Sequence, residues 1–169
     1  MKTIKGDLIK LAEEGMFNVI VHGCNCFHTM GSGIAGQLAT KYPEVLEVDK
    51  KTSYSDRGKL GSYSVASISG PPPDYIHKFI VINAYTQYFF GLGKDVFEYD
   101  SFEKFLNDFK VQILIYPNWE HPETKLQMGF PMIGAGLAGG DWSRISKMIE
   151  KFSEDVACYA DVTVVEYQP

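Results

Sequence analysis

The chain has 169 residues, 45% of them apolar and 22% charged, the profile of one soluble globular unit rather than two. A formal net charge of −5 argues against gripping a nucleic-acid backbone through a basic face, although backbone N–H groups can still hold a small anion. No apolar run reaches the roughly 18 residues that cross a bilayer, and the charged start MKTIKGDLIKLAEEG does not read as a signal peptide.

In chain order, MKTIKG predicts a short strand and LIKLAEEG a short helix ending at Gly15. FNVIVHG predicts a strand buried on both faces. After a glycine-rich loop, GIAGQLATKYP has a helical pattern that stops before Pro43, and EVLEVDKK continues as a second helix. LGSYSVASIS alternates as a strand does, GPPPDY is a loop because its prolines forbid a ladder, and KFIVINAYTQ is a second buried strand. YFFGLGKDVFEYD is irregular, with Gly91 and Gly93 as breakers. SFEKFLNDFKVQIL places Phe102, Phe105, Leu106, Phe109 and Ile113 on one helical stripe, with Ser101 as its N-cap. LQMGFPMIG is a strand entering a second glycine loop, WSRISKMIEKFSEDVACY a helix, and DVTVVEYQ a closing strand. The alternation implies a mixed sheet with helices on both sides.

Two loops carry the functional signal. The first holds Gly31-Ser32-Gly33-Ile34-Ala35-Gly36 and the second Gly134-Ala135-Gly136-Leu137-Ala138-Gly139-Gly140, both fitting G-x-G-x-x-G between a strand and a helix. A dinucleotide-binding unit is disfavoured, because the first strand ends near His22, well before Gly31, and neither Asp49 nor Asp56 sits at an obvious strand tip. One such loop is ordinarily a tight turn. Two at neighbouring strand ends can converge their N–H groups on a diphosphate from both sides.

These residues resemble the macrodomain family, which binds ADP-ribose. KGDLIKL is similar to its opening strand and G-D-[IL] motif, VIVHGCNCFHTMGSGIAGQLATKYP to its first ligand loop, FPMIGAGLAGGDW to its phosphate-facing loop, and TVVEYQ to its last strand. H-x-C-N-C and GGDW resemble the branch of the yeast-type ADP-ribose-1''-phosphate phosphatases and terminal ADP-ribose glycohydrolases; the commoner N-A-A-N is absent. The resemblance implies one α/β macrodomain over 1–169, a mixed central sheet sandwiched between helices. It further implies that Asp7 accepts from the adenine amino group, with Leu8 and Tyr167 packing on that base. Gly31, Ser32, Gly33, Ile34 and Ala35 would line the diphosphate from one side; Ile133, Gly134, Ala135, Gly136, Leu137, Ala138 and Gly139 would line it from the other. Asn25 and Cys26 would sit at the distal ribose, and His22 and Asp141 match catalytic positions of the phosphatase type.

Each of these residues also has a plainer reading. A neutral imidazole at His22 suits proton transfer, or only bonds its own loop. Asp141 is an N-cap, a group that polarises water, or both. Cys24 and Cys26 with His22 and His28 raise a zinc site, but Cys158 lies far along the chain and two separated ligand pairs are missing, so no metal is expected and Cys24 fills core while Cys26 lines the pocket. Lys41 falls where the glycohydrolase type carries a catalytic Lys, yet that type's acidic partner position holds Ala138 here, which favours an exposed cation. His77, His121, Tyr85, Tyr88, Phe89 and Phe90 read as core or rim. The odd cysteine count fits reduced thiols in a cytoplasm. The expected protein is a monomeric, cofactor-free phosphatase of ADP-ribose-1''-phosphate that binds a small nucleotide and no membrane. The alternatives are an ADP-ribosyl hydrolase acting on protein or nucleic acid, the one route by which nucleic acid becomes a partner, and a non-catalytic ADP-ribose-binding module.

Overall fold

Strands and helices interleave along the described chain as β1 (Lys2–Gly6), α1 (Leu8–Glu13), β2 (Val19–Cys24), α2 (Gly33–Lys41), α3 (Pro43–Lys50), β3 (Tyr63–Ser69), β4 (His77–Tyr85), α4 (Tyr99–Ile115), β5 (Leu126–Pro131), α5 (Trp142–Asp155) and β6 (Ala160–Tyr167), broken only by the helix pair α2–α3 and the strand pair β3–β4. The structure, a computed structural model, describes residues 1–70, 77–91, 96–115 and 124–169. The proline run at 71–73, Gly93, His121 and the side chain of His77 lie outside the described residues, and so do the readings placed on them.

The strands form one sheet in the order β1-β6-β5-β2-β4-β3. All neighbours are parallel except β3 and β4, which pair antiparallel at the edge. Central β2 is buried on both faces, as its unbroken apolar run requires. Alternation along it feeds two layers of core. Val19 and Val21 pack under α4 and α5 with Phe102, Phe105, Phe109 and Ile149, whereas Ile20 joins Leu8, Leu38, Val45 and Phe79 under α1, α2 and α3. The α/β class and the mixed sheet between helices agree with the sequence. One cap differs: α4 starts at Tyr99, and Ser101 lies inside it, its hydroxyl donating to Glu98 Oε2 at 3.4 Å. The first turn is closed instead by Phe102 N donating to Glu98 O at 3.0 Å.

A buried ion pair ties α3 to the sheet edge. Lys59, on a single 3-10 turn at Arg57–Lys59, is 7% exposed and lies 3.6 Å from Asp49, itself 1% exposed. Tyr85 donates to Asp49 Oδ1 at 2.8 Å, and the ammonium sits 4.1 Å from the Tyr85 ring centroid while donating to Thr52 Oγ1 and Ser53 O. Removing one partner strands the other charge away from water. Lys59→Ala is expected to cost about 3–5 kcal/mol in urea denaturation, far more than loss of the exposed Lys104–Asp108 pair, for which less than about 1 kcal/mol is expected.

Candidate functional site

Adjacent parallel strands β2 and β5 lead in opposite directions. The chain leaving β2 runs through the first glycine loop to α2 on one face; the chain leaving β5 runs through the second to α5 on the other. Such a reversal opens a crevice at the carboxyl ends of the strands. Here it holds two chambers, of about 350 Å³ and 600 Å³, which share Gly33, Ile34, Pro131, Met132 and Gly136 as walls and so form one groove.

The two loops face each other across it. Gly31 through Ala35 line one wall of the smaller, distal chamber, and Ile133, Gly134, Gly136, Leu137 and Ala138 line the other. Ser32 is the N-cap of α2 but makes no side-chain cap bond, so no side-chain oxygen of Ser32 closes the first turn of α2, whose residues Gly33, Ile34 and Ala35 line the chamber. Opposite, the N–H groups of Gly136, Leu137 and Ala138 have no partner among the described residues. Gly134 is a required glycine: its φ is +75°, and a Cβ there would lie 2.4 Å from Cδ2 of Phe97, the core ring under the loop.

Asp7, Leu8, Ala135 and Tyr167 line the larger chamber. Asp7 Oδ1 caps α1 by accepting from Ile9 N at 2.9 Å and Lys10 N at 3.1 Å. Asn25 lines the distal chamber while stapling its own loop, with Nδ2 donating to Thr29 O and Oδ1 accepting from Phe27 N, each at 2.8 Å.

Other expected residues lie elsewhere. Cys24 lines the distal chamber, while Cys26 is fully buried behind it, its N–H donating to Tyr88 O; this reverses the sequence reading of the two. The shift follows from β2 running on to Cys24, which carries that residue to the strand tip. Burial raises the Cys24 thiol well above its usual pKa, with the charge of Asp49 adding to the effect, so it is no thiolate nucleophile. Gly139 lines neither chamber. Nor does His22, which sits in the α1–α3 layer with Nε2 2.6 Å from Asn83 Oδ1; Asn83 in turn donates to Val45 O and Ser64 Oγ. Burial holds the His22 imidazole down to about pKa 4, against the opposing pull of Asn83 and the Asp49 charge. Asp141 is the N-cap of α5, accepting from Ser143 N at 2.9 Å, and is not a wall of either chamber. Lys41 pairs with Glu13 at 2.5 Å on the far end of α2. Among the described residues no group of three or more His, Cys, Asp or Glu is placed to hold a metal, and no helix is long and apolar enough to cross a membrane.

Sequence reasoning passed over Gly23, Thr29, Thr86 and Gln87 on the distal wall, while Phe90, read as core or rim, lines that wall. For Thr86 and Gln87 the signal was present: two polar residues directly follow a buried strand that ends at the same sheet edge.

The chain is 38% identical over 175 residues to an uncharacterized 17.5 kDa protein of the tk-vs intergenic region of Enterobacteria phage T4, covering 100% of this chain and 97% of that one. Among solved structures, the macrodomain of Thermus aquaticus DarG superposes with a TM-score of 0.68 at 20% identity, over 99% of this chain and 97% of that one. The chain belongs to one family with the phage protein, and its fold is the macrodomain fold. Part of Thermosipho africanus DarTG, solved in complex with ADP-ribose, also superposes on this chain (TM-score 0.71, 16% identity, 97% of this chain and 40% of that one). The Saccharomyces cerevisiae (strain YJM789) ADP-ribose 1''-phosphate phosphatase is 28% identical over 173 residues, 91% of this chain and 93% of that one. No family model matches.

Two outcomes follow for this macrodomain. The unfolded chain takes up a proton on His22 near pH 6.5, but the folded chain does so only near pH 4. The stability this contributes is present above about pH 6.5 and drains as pH falls toward 4, at up to about 1.4 kcal/mol per pH unit. Thermal melts from pH 7 to 4 should show a flatter decline in His22→Gln than in the natural chain. Gly134→Ala should cost roughly 2 kcal/mol or more in chemical denaturation, since it forces both the left-handed backbone and the Phe97 ring.

Proposed function

We propose that this macrodomain binds ADP-ribose derivatives along the groove and hydrolyses ADP-ribose-1''-phosphate. The observation that carries the binding is the pair of glycine bends facing each other across one continuous cleft, with Asp7 at its far end. Amides of both bends meet the diphosphate, and the α2 dipole adds to them. Asp7 keeps one oxygen on its cap and offers the other to the adenine amino group, while Leu8 and Tyr167 line the base. The distal ribose and its phosphate enter the smaller chamber. Kinship with the yeast phosphatase supports the reaction: water attacks phosphorus, the P–O bond to the sugar breaks, and the sugar oxygen takes a proton.

The described walls of the distal chamber carry no carboxylate, imidazole or amine. Positioning and charge stabilisation by amides and hydroxyls therefore carry the acceleration from this set of residues. His22 acts as a support one layer behind the wall rather than as a proton donor to ligand, and Asp141 as a helix cap.

A second reading is favoured by one surface feature. Phe90, on the distal wall, stacks on Phe89 at 4.5 Å, and both pack on Phe27 beside Tyr54 and Tyr88. Phe89, Phe90 and Tyr54 are exposed, at 50%, 48% and 66%, a ring-covered shelf just beyond the place where the far sugar would end. A free nucleotide has no need of it, whereas ADP-ribose attached to a protein or nucleic acid would lay its carrier there.

Calorimetry with ADP-ribose tests the binding claim, and phosphate release from ADP-ribose-1''-phosphate against ADP-ribose release from modified protein and modified DNA separates the reactions. Saturable binding and phosphate release are expected. Asp141→Ala should lose about 1 kcal/mol of stability and keep turnover, and abolished turnover with intact binding would restore its catalytic role. Absence of binding would end both readings.

A further inference from the structure

A separate furrow of about 320 Å³ runs between α4 and α5 and shares no wall with either chamber of the groove. One stripe of each helix makes it, at the three- and four-residue spacing that lines up side chains along a helix. Its floor is apolar: Leu106 and Phe152 are 5% and 3% exposed, and Met148 is half-buried against the same core. Its rim is charged. Lys110, Arg144, Lys147 and Lys151 stand there against two carboxylates, Glu103 and Asp155, a local excess of positive charge in a chain whose net charge is −5.

The fold itself does not account for these cations. Lys110 and Lys151 both pair with Asp155. The Arg144 guanidinium sits 3.9 Å from the Tyr99 ring centroid, and among the described residues neither Arg144 nor Lys147 has a carboxylate partner. Helix stability gives no reason for them either. The dipole favours acidic residues in a first turn and basic ones in a last turn, but α5 has neither, and Arg144 stands in its first turn.

Apolar floor and cationic rim together select the occupant. A nucleic-acid backbone brings no apolar group to the floor, and its phosphates would meet Glu103 and Asp155. From Arg144 to Asp155 the α5 side of the furrow spans about 17 Å, the reach of about five extended residues. We propose that the α4–α5 furrow docks a short acidic segment of a partner protein. An apolar side chain of that segment lies over Leu106, Met148 and Phe152, and its carboxylates meet Arg144 and Lys147. The flexible thioether of Met148 lets the floor adapt to the anchor. This docking is independent of the ADP-ribose reading of the groove.

The test pans a displayed library of random peptides against the natural chain, with Lys147→Glu as the counter-selection, and measures the enriched peptides by fluorescence anisotropy. Enriched sequences are expected to carry aspartate or glutamate around a leucine, methionine, phenylalanine or tryptophan. Lys147→Glu should weaken them about 3- to 10-fold, and Met148→Ala, which shortens the floor, by a similar factor. Lys147 is exposed, so Lys147→Glu should fold and melt as the natural chain does, and its loss of binding reads the furrow. No enrichment beyond the counter-selection, or enriched peptides that are not acidic, would overturn the proposal. So would a short DNA duplex that binds the natural chain but not Lys147→Glu, or a dimer in sedimentation that Lys147→Glu dissolves, since the face would then belong to nucleic acid or to a second copy of this chain.

Discussion

Everything at the site depends on two neighbouring parallel strands sending their chains to opposite faces of the sheet. Side by side, β2 and β5 cannot both close over the strand ends, so a crevice stays open between their loops. Backbone entering that crevice must turn sharply and expose its N–H groups, which selects glycine on both sides. The site is therefore made of main chain first and side chains second. That explains how a chain with a net charge of −5 can present a surface suited to an anion with no lysine or arginine on the described walls of the distal chamber.

Behind the groove lies a layer of polar groups with a different task. His22, Asn83 and Ser64 form one chain of contacts, which the 2.8 Å hydrogen bond between the Ser64 and Tyr85 hydroxyls joins to Lys59 and Asp49, on the α3 side of the sheet. Their partners are protein atoms. Ser55 N donates to Cys26 O and Cys26 N to Tyr88 O, tying the first loop to this layer.

Much of this was legible in the sequence, because strand and helix periods and the two glycine patterns are local signals. The stripe from Phe102 to Ile113 faces core as its spacing required. Local pattern failed where the deciding contact is distant. Ser101 looks like a cap, but its hydroxyl turns back to Glu98. His22 looked like a chemical group because it stands at a strand end, yet strand alternation points it into the layer shared with Asn83, 61 residues away. Cys24 and Cys26 exchanged places for the same reason: the strand tip decides which face is wet.

Asn25 carries one further consequence. Both ends of its side-chain amide are already bonded within the first loop, so the curve of that loop exists before any nucleotide arrives. A guest meets a finished mould and loses little to the freezing of host chain, so the entropy surrendered on association is mainly its own. Capture would then run at the pace of encounter rather than of rearrangement, and release would be governed by how many amide contacts must break together.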